Sequence, residues 1–395
     1  MTQVPATRER AKVSVWNDPK RRALFFQYAL AVLLALAFVE IARNTASNLA
    51  KLNQDLGFSF LTRSAGFDIA QTLIPYSSVS NYGRALLVGF LNTVLISVLA
   101  ILAATVLGFF IGVMRLSKNW IVSRVAATYI EFFRNIPLLL QIFVWYSLFI
   151  VQLLPAPKQA LTFSGYFFLS NRGLVVPEPS LASGEYGFLA SLLLGVAMST
   201  LLVVWARRRQ IATGKAFPKV LGSLLIVTGC LAAAIALGSS PVSLTFPSKT
   251  AFSFSGGLTV IPELIALFLA LSVYMATYIA EAVRAGIQSV GRGQSEAAFA
   301  LGLKPLRTMR LVIVPQAMRV IVPPLATTYL GLIKNSSLAV AIGYPDLVAT
   351  GGTVLNQTGK AIEIVSIWMV VYLSLSLLTS FLMNWYNATN KLVER

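Results

Sequence analysis

Residues 86–114 read LLVGFLNTVLISVLAILAATVLGFFIGVM, 29 positions without a charge. A helix needs about 20 apolar residues to cross the ~30 Å hydrocarbon layer of a bilayer. This stretch is long enough, and its length decides the class of the chain. Working outward from it, comparable runs fall near 24–42, 129–154, 187–205, 218–238, 261–283, 320–343 and 362–385. Together they predict an all-α polytopic membrane protein with about eight transmembrane helices. Composition agrees: 56% of the 395 residues are hydrophobic and only 12% charged, against about a quarter charged in a soluble domain.

A net charge of +18 would suit nucleic acid, so the positions of the charges have to decide. With both termini placed inside, segments 1–23, 115–124, 206–219, 284–319 and 386–395 face the cytoplasm. They hold 22 of the 32 lysines and arginines, and the outward loops hold 8. That is the positive-inside asymmetry, which sets orientation in a membrane. A nucleic-acid surface would not be divided over five short loops, so no nucleic-acid partner is expected. The multi-pass chain is therefore expected to be surrounded by membrane lipid. There is no histidine and a single cysteine, Cys230, so imidazole ligands, histidine-based triads and a disulfide within the chain are excluded. No metal site, no cofactor and no catalytic residue are expected. The basic triplet at 20–22 precedes an apolar run longer than a signal-peptide core and followed by further spans, so it reads as a signal anchor.

Five parts follow: a cytoplasmic tail (1–23), a first transmembrane helix with a periplasmic loop (24–85), a first core block (86–154), an insertion (155–258) and a second core block (259–390). The segment 155–186, rich in Pro, Gly and Ser, reads as an outward loop. The hairpin near 187–238 has almost no polarity within its spans and reads as a peripheral, lipid-facing pair. The core blocks differ, because Asn92, Thr93, Ser97, Glu131, Arg134, Glu281, Lys334, Asn335 and Ser336 lie within or beside their spans. Polar groups in hydrocarbon are costly and face a cavity or a partner helix. Asn92, Thr93, Lys334, Asn335 and Ser336 are the candidate lining of a substrate path. Lys334 either meets a substrate carboxylate there or pairs with a neighbouring carboxylate or carbonyls. Glu281 with Arg284, and Glu131 with Arg134, sit three apart and read as local ion pairs, the alternative being a gate. Gly108 and Gly112 form a small face for close helix packing, and Pro323-Pro324 should bend or delay the seventh helix.

The largest inward loop, 284–319, contains EAAFALGLKPLRTMRLVIVP at 296–315. Ser295 is suited to cap a helix with Glu296 in its first turn, and Gly302 supplies the left-handed residue that ends it. Pro305 fits the first position of a second helix, which Pro315 closes. Ala297, Ala298 and Leu301 offer small apolar contacts for a partner's groove; the alternative is a surface helix with no partner. The spacing from Glu296-Ala297-Ala298 through Gly302 to Val312-Ile313-Val314-Pro315 resembles the EAA loop of permease subunits in binding-protein-dependent ABC importers. The stretches NTVLISVLAILAATVLGFFIGVMRLS (92–117), YIEFFRNIPLLLQIFVWY (129–146), YIAEAVRAGIQSVGRGQSEAA (278–298) and LIKNSSLAVAIGYPDL (332–347) are similar to the polar amino-acid subfamily. Length and the segment after Leu154 resemble the Q-type permeases of general L-amino-acid importers.

The resemblance implies a small-importer permease core of about five helices, to which this chain adds an N-terminal helix and an inserted helical hairpin. It implies that Glu296, Ala297, Ala298, Leu301, Gly302 and Pro315 couple the chain to a cytoplasmic ATPase. The implied partners are a second permease subunit in a heterodimer, two ABC ATPase subunits, a periplasmic amino-acid-binding protein and the amino-acid substrate. The chain itself shows no phosphate loop: Gly214-Lys215 and Gly359-Lys360 are each followed by Ala and lack a glycine five positions ahead. ATP is therefore expected to be used by the partner subunit. The alternative function is an ion-driven secondary amino-acid carrier. Such a carrier should show repeated halves or several intramembrane acids, and neither is evident. A membrane enzyme would need a catalytic constellation that these residues do not supply.

Overall fold

The structure, a computed structural model, describes residues 19–51, 57–181, 185–214, 217–236, 242–250 and 253–389. The cytoplasmic tail expected over 1–23 lies outside the described residues as far as 18, and so does the C-terminal end from 390. The chain divides into two units, residues 1–60 and 61–395. In the first, α1 (Pro19–Lys51) is a single helix whose apolar side chains are exposed from Ala23 to Ala46.

The second unit is organised around the crossing of α2 (Tyr82–Arg115) and α7 (Pro262–Gln288). Asn81 caps α2, its side chain accepting from the Arg84 N–H at 2.8 Å. Ile96, Ala100 and Ala104, spaced by four along one face of α2, are fully enclosed with Leu267, Ala270 and Leu271 of α7. Further along, glycine lets the backbones meet. A Cβ on Gly108 would stand 2.6 Å from the Ile279 Cβ, and one on Gly112 would stand 2.7 Å from the Ala280 carbonyl oxygen. The small face expected at these positions is the core contact.

The third apolar run is not one straight span. Helix α3 (Trp120–Asn135) and the following helix, α4 (Leu138–Phe143) continued by the π-helical turns Val144–Gln152, meet at 101°. Pro137 is the cause, since proline lacks an N–H and holds the preceding residue in extended backbone; Ile136 has φ −97° and ψ 126°. The buried Gln141 repairs the break, its Nε2 donating to the Phe133 and Ile136 carbonyls at 2.8 and 2.9 Å.

The insertion holds strands where the sequence suggested a loop. Strands β1 (Leu161–Phe163), β2 (Phe167–Ser170) and β3 (Gly173–Val176) form an antiparallel sheet that β8 (Leu258–Val260) completes against β3. Strand β4 (Glu178–Leu181) pairs with β5 (Val242–Thr245), and β6 (Ser248–Lys249) with β7 (Phe254–Ser255). Between β4 and β5 the chain runs out and back as α5 (Glu185–Thr213) and α6 (Lys219–Ala236), which pack chiefly on one another.

The second core block ends with α8 (Arg292–Ala300), α9 (Pro305–Thr308), a π-helical turn (Met309–Ile313) and α10 (Val314–Asn335). A 3-10 segment (Ser336–Ile342), α11 (Leu347–Thr358) and α12 (Ala361–Thr389) complete it. Among the described residues six helices are long and apolar enough to cross a membrane and the bent pair supplies a seventh, while α6, at the place of the remaining expected span, is apolar but shorter. One expectation for this block is corrected. Pro315 does not close a helix, because the wide π turn accommodates its ring and the chain continues into α10. Pro323 and Pro324 lie inside α10, where hydroxyls of the next turn meet the proline carbonyls, Thr328 Oγ1 donating to the Pro324 oxygen at 3.0 Å.

Candidate functional site

A cavity of about 620 Å³ opens between α3, α7 and α10. On α7, Tyr274, Tyr278 and Glu281 follow at intervals of four and three, which places them on one face, and all three line the cavity. The Tyr274 and Tyr278 hydroxyls share a hydrogen bond of 2.9 Å. From α3, Arg134 lays its guanidinium over the Tyr278 ring, 4.6 Å from the centroid, a favourable cation–π distance. Helix α10 contributes Pro324, Thr327, Thr328 and Asn335.

The charges here are not equivalent. Glu281 is paired with Arg284, whose Nε donates to the two carboxylate oxygens at 3.0 and 3.1 Å and whose Nη2 also bonds Oε1. The local ion pair expected from their spacing is present. The analogous pair of Glu131 with Arg134 does not form. Arg134 turns instead to Tyr278, and its N–H groups have no acceptor among the described residues. The cavity wall therefore carries a guanidinium with open donors and a carboxylate held from behind by a second arginine. Tyrosine and threonine hydroxyls and the Asn335 amide share the lining. Such a lining suits a small ligand bearing both a carboxylate and an ammonium.

The five residues expected to line a path do not gather in one place. Asn335 lines this cavity. Lys334 points elsewhere, exposed beside Ser337, Trp368 and Tyr372 in a separate cleft of about 360 Å³. Asn92 and Thr93 are fully buried and bond backbone instead. Asn92 Nδ2 donates to the Gln71 and Pro345 carbonyls, each at 2.9 Å, and Thr93 Oγ1 accepts from the Leu347 N–H at 3.0 Å. They pin the start of α11 to α2, where Gly89 allows the approach: a Cβ there would stand 2.8 Å from the Asp346 carbonyl oxygen. Ser336 is buried too, its hydroxyl donating to the Ile333 carbonyl at 2.7 Å. Polarity marked these residues, but a span's polar groups serve packing as readily as transport, and only their partners separate the two uses.

The loop containing Glu296 has the expected stop and a different start. Helix α8 begins at Arg292 with Gly291 as its cap, so Ser295 lies inside the helix and caps nothing. At the other end Gly302 has φ +75°. Its N–H donates to the Phe299 carbonyl at 2.9 Å, and the Leu303 N–H donates to that of Ala298 at 3.1 Å; this pair of hydrogen bonds is the Schellman stop. Pro305 then opens α9 at its first position. Ala298 is buried in the chain's own packing, while Leu301 is 81% exposed and Glu296 and Ala297 also face outward. Gln316 ties the base of α10 to α8, its Nε2 donating to Gln294 Oε1 at 3.2 Å. Pro315 sits at that base rather than on the exposed helix.

Sequence reasoning missed Tyr274, Tyr278, Thr327 and Thr328. Their signal was available in the spacing: two tyrosines four apart and a glutamate three further on an otherwise apolar helix.

Comparison with known proteins follows the same lines. Residues 104–391 match the family described as "Binding-protein-dependent transport system inner membrane component". The general L-amino acid transport system permease protein AapQ of Rhizobium johnstonii is 49% identical over 97% of this chain and 95% of its own. The putative amino-acid ABC transporter permease protein YhdX of Escherichia coli is 47% identical over 96% of each chain. The glutamate/glutamine/aspartate/asparagine transport system permease protein BztB of Rhodobacter capsulatus is 43% identical, again over 96% of each. None of this favours an ion-driven carrier.

Proposed function

The chain belongs to the family of inner-membrane components of binding-protein-dependent transport systems, and on that premise we infer that it is the permease subunit of an amino-acid ABC importer. The observation that carries the substrate class is the cavity between α3, α7 and α10. Arg134, with open guanidinium donors, faces a substrate carboxylate, and Glu281 faces its ammonium. A carboxylate bonded by arginine is among the stronger contacts available to a small ligand. The names of the relatives, which specify L-amino acids and the acidic amino acids with their amides, support the same class.

The chain forms its pathway with a second permease subunit. Both termini and the α8 loop face the cytoplasm, where α8 seats in an ATPase subunit through Glu296, Ala297 and Leu301. The stop at Gly302 sets the angle between α8 and α9, so movement of the ATPase is passed through α9 and the Pro315 turn into α10, a wall of the cavity. The chain has no nucleotide site of its own, and two ATPase subunits supply the energy. A periplasmic binding protein delivers substrate to the outward face.

The test is reconstitution of the chain with its partner permease, ATPase and binding protein in liposomes. Uptake of labelled L-amino acids should require internal ATP and persist when ion gradients are collapsed. Uptake driven by a proton or sodium gradient without ATP would overturn the reading. Competition by amino acids but not by their methyl esters would support the carboxylate contact.

A further inference from the structure

The α5–α6 hairpin has no part in the cavity described above, yet it builds a site of its own. The two helices touch closely along one line. A Cβ on Gly195 would stand 3.3 Å from the Val227 Cα, and one on Gly222 would stand 2.8 Å from Leu202. The Ser199 hydroxyl donates across to the Ser223 carbonyl at 3.2 Å. Beside that line runs a groove of about 770 Å³, inside the ~300–1,000 Å³ range of ligand sites.

The groove has an apolar floor and a basic end. Val196, Thr200, Val203 and Arg207 line it from α5, and Lys219, Ser223 and Val227 line it from α6. At spacings of three and four, each set forms a single helical stripe. The stripes run antiparallel, so Arg207 and Lys219 arrive at the same end. At 1.5 Å per residue, the distance from Val196 to Arg207 is about 17 Å along the helix. That is close to half of the ~30 Å hydrocarbon thickness, the depth of one leaflet.

Neither of these cations is paired with a carboxylate among the described residues. No Asp or Glu occurs between Glu185 and Glu263. Lys219 Nζ gives one N–H to Gln210 Oε1 at 3.1 Å and keeps two, while Arg207 has no acceptor among the described residues. Arg209, by contrast, is stacked 5.3 Å from the Trp205 ring centroid. An apolar slot one leaflet deep, ending in two unpaired cations, is complementary to an amphiphile with a negative head. We propose that the hairpin binds one anionic phospholipid, its acyl chain along the valine stripe and its phosphate between Arg207 and Lys219. Basic residues at the end of a span attract anionic headgroups, and a zwitterionic lipid would bring its own ammonium against them.

The test uses the full chain with its partner subunits, stripped of lipid in detergent and titrated with dioleoyl-phosphatidylglycerol or dioleoyl-phosphatidylcholine. Native mass spectrometry counts the bound lipid. The wild type should retain one phosphatidylglycerol that phosphatidylcholine does not replace. The double variant Arg207→Gln/Lys219→Gln should bind it about tenfold more weakly or worse, and Arg208→Gln, outside the groove, should bind it normally. Val203→Trp, which fills the slot and keeps both cations, should also lose the lipid. It stands in for the double variant if that protein does not assemble. Equal retention of the two lipids by the wild type, or undiminished phosphatidylglycerol binding by either groove variant, would overturn the proposal. So would displacement of the lipid by millimolar inorganic phosphate, which would show a site for the anion alone.

Discussion

Helices α5 and α7 are nearly the same length, 29 and 27 residues, and both are apolar enough to cross a bilayer. Yet 61% of the apolar stretch of α7 is buried, against 11% of that of α5. Hydrophobicity does not explain the difference, since lipid satisfies an apolar side chain as well as a protein neighbour does. Small residues do. Helix α7 sets Ala276 and Ala280 against Gly108 and Gly112 of α2, which brings backbones together and lets dispersion and shape drive association. Helix α5 finds one partner of that kind, α6, and presents leucine and valine to everything else. Apolar length brings a helix into the membrane, and small faces decide what it packs against there.

That comparison can be broken at four points, and the largest expected effect lies on the core side, at the turn between α8 and α9. Gly302→Val places a β-branched residue at φ +75°, a cost of ~1–2 kcal/mol that tilts α8 relative to α9. We expect the variant to insert and to pair with its partner permease. Uptake should fall about tenfold or more, with less ATPase recovered from the same membranes. Normal uptake with normal ATPase recovery would remove the coupling role from this turn.

Next in size, Arg134→Gln takes away the open guanidinium of the cavity. A lost charge-assisted hydrogen bond is worth ~1.5–3 kcal/mol, so uptake at low substrate should drop about tenfold while the assembled complex keeps its thermal stability. Lys334→Gln, in the other cleft, is expected to change uptake less. The reverse ranking would return the pathway to Lys334.

A smaller effect separates the two packing regimes directly. Gly108→Val should destabilise the purified chain by ~1–3 kcal/mol through overpacking, because the atoms it would meet include the Ala276 carbonyl at 2.8 Å. Gly195→Val meets its nearest atom at 3.3 Å and should cost less. Thermal unfolding of both variants in the same detergent tests the order. The smallest expected effect is none at all: single cysteines at 190–204 should be labelled equally with and without substrate. A protected helical stripe would make the hairpin part of the pathway.

Much of this was legible in the residues. Runs of uncharged sequence located the spans, charge asymmetry suggested their orientation, and the glycine of the 296–315 segment marked a helix stop that the structure shows at Gly302. Other features needed contacts. The strands of the insertion are two to four residues long, too short for a clear alternating pattern, and β8 joins β3 from more than 80 positions away. The start of α8 was misplaced because Ser295 is a favoured cap, whereas the extended backbone of Gly291 begins the helix without any side-chain bond.

By itself, then, the sequence determined which segments enter the membrane, the positive-inside charge bias and where Gly302 ends α8. These depend on local quantities: transfer free energy, net charge and backbone sterics. Only the tertiary structure decided which polar residues face a cavity. Asn92 and Arg134 are equally conspicuous in an apolar run, but Asn92 reaches two backbone carbonyls that folding brings within 2.9 Å. Arg134 comes to rest on Tyr278, more than a hundred residues away, with its donors still open. Whether a polar group in an apolar run is spent or available depends on what folding places beside it, and no local stretch of sequence contains that partner.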